Sequence, residues 1–306
     1  RNSYDLRKEI SSSGKAVYGI KTGFGIFADK KIENEDSSKL SRNLILSHAV
    51  GTGEPLTIEI VRAAMLVRAN TFCKGYSGVR PVIVETLIQM LNKNVVPLVP
   101  SQGSLGSSGD LAPLSHLALV FTTDENDLDE ESGFAYFGEK LLSGKKAMDQ
   151  AGIPRIILEA KEGLAINNGA TFSAAIAAIN IFDSRFLVDI AEFSLALSLE
   201  AMLGCGPAYD SRIHEVRGQL GQIIVAENVR KYIQGSNLIN STNRVQDAYS
   251  LRCAPQVQGV ARDTLEFISG IIEREINAAT DNPLLFSPGV ALSGGNFHGE
   301  PVGVAM

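Results

Sequence analysis

Residues Gly103-Ser104-Leu105-Gly106-Ser107-Ser108-Gly109-Asp110 place a small residue, a serine and a glycine in succession inside a glycine-rich turn. With those residue types a backbone can make its own electrophile. Attack of the Gly109 amide nitrogen on the Ser107 carbonyl carbon closes a ring with loss of one water, and a second water leaves with the Ser108 hydroxyl. The product is a methylidene-imidazolone. Glycine lacks Cβ and accepts the unusual backbone angles that closure needs. Serine supplies both the leaving hydroxyl and the Cβ that becomes the electrophilic methylene, while the small residue ahead leaves the attacked carbonyl accessible. Asp110 reads as the N-cap of a following helix, with Pro113 in its first turn, where a missing N–H costs nothing. A helix N-terminus beside the ring would stabilise negative charge arriving on it. A Gly/Ser turn leading into a helix is also the ordinary fate of such a stretch.

Other runs bear on the choice. Val17-Tyr18-Gly19-Ile20-Lys21-Thr22-Gly23-Phe24-Gly25 holds three glycines and predicts an irregular loop around one tyrosine. In Arg244-Val245-Gln246-Asp247-Ala248-Tyr249-Ser250-Leu251-Arg252-Cys253-Ala254-Pro255, the residues Gln246, Tyr249 and Arg252 are spaced by three, so on one helix they would share a face. Arg252 offers a planar fork suited to a carboxylate. Three more segments stand out: Leu46-Ser47-His48-Ala49, Glu162-Gly163-Leu164-Ala165-Ile166-Asn167-Asn168-Gly169-Ala170, and Gly294-Gly295-Asn296-Phe297-His298-Gly299-Glu300. Taken together, these runs resemble the aromatic amino acid ammonia-lyases, and among them the histidine-selective members most.

That resemblance covers the whole chain and implies a site. Ser107, Ser108 and Gly109 would form the built-in ring cofactor, MIO, with serine standing where the family usually has alanine. Tyr18 would be the catalytic base, with Lys21 nearby where the family more often has an uncharged residue. Asn168 would hydrogen-bond at the ring and assist its formation; its neighbours Asn167 and Ala170 depart from the apolar residue and threonine of the pattern. Tyr249 would complete proton handling, and Phe297 would pack near the ring. Substrate contacts fall on His48, Gln246 and Arg252. The Ser47-His48 pair points to an imidazole, which needs a polar partner where a phenyl ring needs an apolar wall. The implied reaction is non-oxidative elimination of ammonia from L-histidine, giving urocanate. Alternatives are a phenylalanine or tyrosine ammonia-lyase, a 2,3-aminomutase, or a non-catalytic oligomerising fragment. The family uses no metal or dissociable cofactor and works as a homotetramer with shared active sites. Its members continue well past residue 306, so the chain is expected to be a fragment lacking both the N-terminal start and a C-terminal part with a substrate-contacting glutamate.

These residues need a scaffold. With 306 residues, 44% of them hydrophobic, the chain can bury a sizeable core. No βαβ alternation is sustained, so the expected class is mainly α, in the L-aspartase/fumarase-like architecture that the resemblance implies: a loop-rich part over residues 1–160 carrying the base and ring loops, then the first long helices of a central bundle over 161–306. Long helices are expected over Ala170–Leu203, Ser211–Ile233 and Asn243–Ala279, the last kinked at Pro255, with shorter ones opened by Glu54-Pro55 and following Arg80-Pro81. The Ala170–Leu203 stretch is interrupted by Asp183, Arg185, Asp189 and Glu192, which marks a buried helix rather than a membrane span. A net charge of −6 argues against nucleic-acid and anionic-membrane partners; a small amino acid as substrate is what the resemblance implies. Three scattered cysteines, Cys73, Cys205 and Cys253, fit free thiols, and the expected setting is reducing and cytoplasmic, without a signal peptide. Other chemistries fare poorly. Ser108 lacks the final glycine of a nucleophile elbow, and Asp129 stands where a calcium loop requires glycine.

Overall fold

The computed structural model describes residues 2–12, 17–32 and 36–305. Helices dominate, and the strands are short pairs. In chain order the elements are α1 (Asn2–Ser12), α2 (Ser37–His48), β1 (Thr52–Pro55), α3 (Ile58–Cys73), α4 (Pro81–Asn92), β2 (Val95–Pro97), β3 (Pro100–Gln102), α5 (Leu111–Phe121), β4 (Thr122–Thr123), β5 (Phe134–Phe137) and β6 (Lys140–Ser143). There follow α6 (Gly144–Ala151), β7 (Ile156–Ile157), α7 (Glu162–Asn167), α8 (Thr171–Ala201), α9 (Ser211–Arg217), α10 (Leu220–Tyr232), α11 (Tyr249–Arg252), α12 (Ala254–Ile276), β8 (Leu284–Ser287), β9 (Val290–Leu292) and α13 (Glu300–Ala305). Strand β5 lies between β2 and β6, antiparallel to both, and β4 pairs with β7 in parallel. Among the described residues no helix is long and apolar enough to cross a membrane.

The chain forms two compact units, Arg1–Ala177 with Ile272–Met306, and Ala178–Ile271. The first division thus falls inside α8, and residue 160 lies within the first unit. There the buried positions of α3 (Val61, Ala64, Met65, Arg68, Ala69, Phe72) recur every three or four residues, as do Ile83, Leu87 and Met90 of α4. Apart from Arg68 and the buried Thr71 and Thr86, each set makes one apolar face. They pack with Leu114, Leu117, Val120 and Phe121 of α5. The second unit has a smaller core built on Leu195, Leu199, Tyr209, Val225, Val229 and Leu251.

Three helix expectations need correction. The segment 211–233 is two helices, because Gly218 adopts the left-handed conformation (φ +76°) and closes α9 before α10 begins. The segment 243–279 contains a single turn, α11, then α12, which ends at Ile276. Pro255 has no N–H to bond the Leu251 carbonyl, and the buried Tyr209 hydroxyl donates to that oxygen instead (2.6 Å). Finally, Thr52–Pro55 is a strand rather than a helix start; α3 begins later, where the Thr57 side chain accepts from Ile60 N.

One close approach couples two helices of the first unit. A Cβ on Gly163 of α7 would lie 2.4 Å from the Ser41 carbonyl oxygen of α2, so the two helices touch backbone to backbone.

Candidate active site

The 104–110 loop is pinched. Leu105 N donates to Gly109 O (2.9 Å) and Asp110 N to Ser108 O (3.1 Å). Gly109 sits at φ +77°, a conformation that an L side chain rarely adopts. Ser108 is buried, and its Oγ accepts from Asn168 Nδ2 (3.1 Å) and from Gly169 N (3.0 Å). The Ser107 carbonyl accepts from Gly299 N at 2.7 Å. Beside the loop opens a cavity of about 210 Å³, lined among others by Ser107, Gly109, Ala170, Ser173, His298 and Gly299. The small-Ser-Gly run, the Asn168-Gly169 pair and the 294–300 segment, far apart in the chain, therefore meet at one place.

Asn168 is held by a helix too short to stand alone. α7 has six residues, all buried, and an isolated helix of that length does not persist in water. Side chains clamp it at both ends. At its start, Glu162 accepts from Arg80 Nε (2.9 Å) and Nη2 (2.6 Å) and from Glu159 N (2.8 Å). Next to it the fully buried Lys161 donates to Asp281 Oδ2 (2.6 Å) and Ser77 O (2.7 Å). At its end the fully buried Arg68 donates to Ala165 O (3.2 Å), to Asn168 O (3.0 Å) and to the Thr171 hydroxyl. Burial pulls the Arg68 pKa down to about 10, which still leaves the guanidinium charged at neutral pH, with Asp281 and Asp110 opposing the shift.

Asp110 stands at the N-terminus of α5 but makes no side-chain cap there. Its buried carboxylate instead accepts from Ser173 N (2.8 Å) and Ser173 Oγ (3.1 Å) in the first turn of α8. It satisfies an orphan amide of the neighbouring helix and ties the ring loop to it. Burial pushes the Asp110 carboxyl above the usual carboxylate range, against the hydrogen bonds from Ser173 and Ser104.

The other expected residues of the first unit lie in separate local settings. Tyr18 stacks edge-on against Phe24 (6.4 Å between centroids). His48 ends α2 with Nδ1 at 2.9 Å from Leu44 O and 3.1 Å from Ser47 Oγ. Phe297 is half-buried, and it is His298 and Gly299, not Phe297, that line the cavity. The turn after His48 has an unexpected support: Gly51 N donates to His116 Nε2 (2.9 Å), which fixes His116 as a neutral imidazole protonated at Nδ1. Burial lowers the His116 pKa.

Gln246, Tyr249 and Arg252 belong to the second unit. They do not share a helix face, since Gln246 precedes α11. Asp247 explains why: its Oδ2 accepts from Cys205 N (2.6 Å) and its Oδ1 pairs with Arg244 (3.3 Å), which holds the segment in a non-helical path. Gln246 and Arg252 do line a common cavity of about 310 Å³, with Cys205, Asp247 and Gln256. The Arg252 guanidinium lies 4.3 Å from the centroid of the exposed Tyr249 ring and has no carboxylate partner among the described residues.

The contributions that sequence reasoning missed are mostly backbone or long-range: the Gly169 and Gly299 amides, Arg68, and His116. Backbone donors carry no residue signature, and only the Asn168-Gly169 dipeptide hinted at one of them.

Across residues 1–306 the chain matches the aromatic amino acid lyase family model. It belongs to the aromatic amino acid lyases. Among its curated relatives, histidine ammonia-lyase of Caldanaerobacter subterraneus subsp. tengcongensis is 50% identical over 100% of the chain, and that of Geobacillus thermodenitrificans is 47% identical over the same span. The chain covers 59% and 60% of the length of those two proteins. Among solved structures, histidine ammonia-lyase from Trypanosoma cruzi superposes with a TM-score of 0.86 at 37% identity, over 99% of this chain and 56% of that one. The phenylalanine aminomutase of Pantoea agglomerans gives a TM-score of 0.92 at 28% identity, over 99% of this chain and 61% of that one. The mainly α lyase fold expected from the sequence is thus the observed one.

Proposed function

We propose that this lyase chain serves the elimination of ammonia from L-histidine to give urocanate, as a carbon–nitrogen lyase, with Ser107, Ser108 and Gly109 maturing into MIO. The observation that carries the reading is the environment of Ser108: a buried hydroxyl with two donors on its oxygen, in a loop pinched at both sides. The residues fit the ring. Asn168 Oδ1 is buried without a hydrogen-bond partner among the described residues, next to the atoms that would condense. The cavity beside Ser107 and Gly109 leaves their outer side open.

The mature ring would supply an electrophilic methylene at Ser108 Cβ, which engages the substrate amine and turns it into a better leaving group. The rest falls to the chain's side chains. Arg252, without an acidic partner among the described residues, holds the substrate carboxylate through its fork, and Gln246 lines the same cavity. Tyr18 removes the β-proton, and Tyr249 assists proton handling. His48, with Ser47, hydrogen-bonds the imidazole and sets the preference for histidine over an apolar ring. Phe297 packs its segment toward the ring loop. Holding base, proton and electrophile in line is the main contribution of such a site.

The working unit we propose is a cytoplasmic homotetramer in which active sites are shared between subunits. Large apolar side chains on α8 and α12 support an assembly: Phe182 is 76% exposed, Phe186 65%, and Phe267 63%. The experiment is ultraviolet detection of urocanate from histidine by the full-length protein, together with its intact mass. Urocanate and a mass short by two waters are expected. An undiminished mass, with no urocanate, overturns the reading and leaves a non-catalytic oligomerising role.

A further inference from the structure

Four oxygens of the 107–109 loop each have a hydrogen-bond donor, and the donors sort by fate. Of these four, the two that stay in the mature loop are served locally: Ser108 O by Asp110 N (3.1 Å) and Gly109 O by Leu105 N (2.9 Å). The two that depart as water are served from far along the chain. Ser108 Oγ is held by Asn168 Nδ2 (3.1 Å) and Gly169 N (3.0 Å), and Ser107 O by Gly299 N (2.7 Å).

We infer that the Gly299 amide is the oxyanion donor for ring closure, and that closure therefore waits until the 294–300 segment has docked on the loop. This rests on the reading that the ring forms. In the first step the Gly109 nitrogen lone pair bonds to the Ser107 carbonyl carbon and the C=O π pair moves onto oxygen, where the Gly299 N–H meets the new charge. That oxygen then leaves as water, taking the protons of the Gly109 and Ser108 nitrogens, and a C=N bond forms. In the second step the Ser108 Cα–H and Cβ–Oγ bonds break, a C=C bond forms, and the second water departs. Hydrogens and electrons balance without an oxidant. A fixed donor aimed at a carbonyl oxygen stabilises charge that appears only in the transition state.

The packing is built for that approach. A Cβ on Gly299 would lie 3.1 Å from Ala170 Cβ and 3.7 Å from Ser107 O. Ala170 is also a near neighbour of Gly109, at 3.9 Å from its would-be Cβ. The alanine thus stands between the two glycines, small enough for the 299 backbone to come within hydrogen-bond reach of residue 107.

The test replaces Gly299 by glycolic acid in the full-length protein, turning the 298–299 amide into an ester and deleting the N–H with little change of shape. A glycolic acid at Gly303 is the structural control, since it removes the Gly303 N to Gly299 O bond (3.0 Å) of the same segment. Intact mass is followed in time after refolding. Loss of the first water should slow on the order of 100-fold in the 299 ester, the scale of losing one oxyanion donor, and stay near the unmodified rate in the 303 ester. Equal rates in the two esters overturn the inference, leaving the 299 contact merely structural. An unmodified protein that keeps both waters overturns the ring-forming reading itself, so the two failures are distinguishable.

Discussion

The surroundings of Ser108 and of Arg252 are built in opposite ways. Around Ser108 every oxygen that closure involves already has a donor, the side chain is buried, and the supporting α7 is clamped by Glu162, Lys161 and Arg68. Around Arg252 the guanidinium is half-exposed, rests on an exposed tyrosine, and has no anionic partner among the described residues. The difference teaches where each half of the chemistry gets its reactant. Under the proposed function the first region reacts with itself, so it can be complete before any ligand arrives, whereas the second receives a charge from outside.

Substitutions can break this contrast, the largest effect first. Ser108→Ala deletes the future methylene while keeping the loop small. Activity should fall at least about 1,000-fold, with the water that the Ser108 hydroxyl would supply never lost from the mass and the fold intact by circular dichroism. Appreciable lyase activity in that variant would refute the electrophile assignment.

Lys161→Met leaves the Asp281 carboxylate buried and unpaired, which should cost about 3–5 kcal/mol in denaturant unfolding. Because Lys161 anchors the start of α7, ring formation should slow as well; a variant that matures normally despite the lost stability would separate the clamp from the chemistry. Arg252→Lys should do the reverse. A point charge cannot replace the bidentate fork, so the KM for histidine should rise about tenfold while the loss of two waters is unchanged. An unchanged KM would remove Arg252 from carboxylate recognition.

The smallest effect is one of pH. Burial lowers the His116 pKa from the ordinary 6.5 in the folded state, where Nε2 must accept from Gly51 N. Above 6.5 both folded and unfolded chains hold the ring neutral and the contribution to stability is whole. As pH falls below that value the unfolded chain takes up the proton first, and stability declines toward the lower native pKa. Melting temperatures between pH 7.5 and 5 should show this decline reduced in His116→Gln; an identical profile would mean that other groups, His214 among them, dominate it.

Much of this was legible in the sequence where a residue type acts locally. The glycines and serines of 103–109 predicted a tight turn before a helix, and the apolar run after Ala170 predicted α8, but as a buried helix, whereas Phe182, Phe186 and Leu187 on it are exposed. What the sequence could not disclose depends on distant partners. The break before α12 was expected as a kink at Pro255, but its stabilisation by Tyr209, 42 positions from Leu251, has no local signal. The three-residue spacing of Gln246, Tyr249 and Arg252 suggested one helix face, yet Asp247 is committed to the Cys205 amide and pulls Gln246 out of helix. Asp110 has the type and position of a cap and serves as one, for a different helix that starts 61 residues later, from Asp110 to Thr171.

The missing side chain at Gly163 reaches further than its size suggests. Where α7 meets the Ser41 carbonyl of α2 with no atoms between, the end of α2 that bears Ser47 and His48 and the amide of Asn168 share a single mechanical datum. Changing the side chains at 47 and 48, which we propose set substrate preference, leaves that seam alone; any bulk added at 163 would move α7, with Asn168 at its end, against α2.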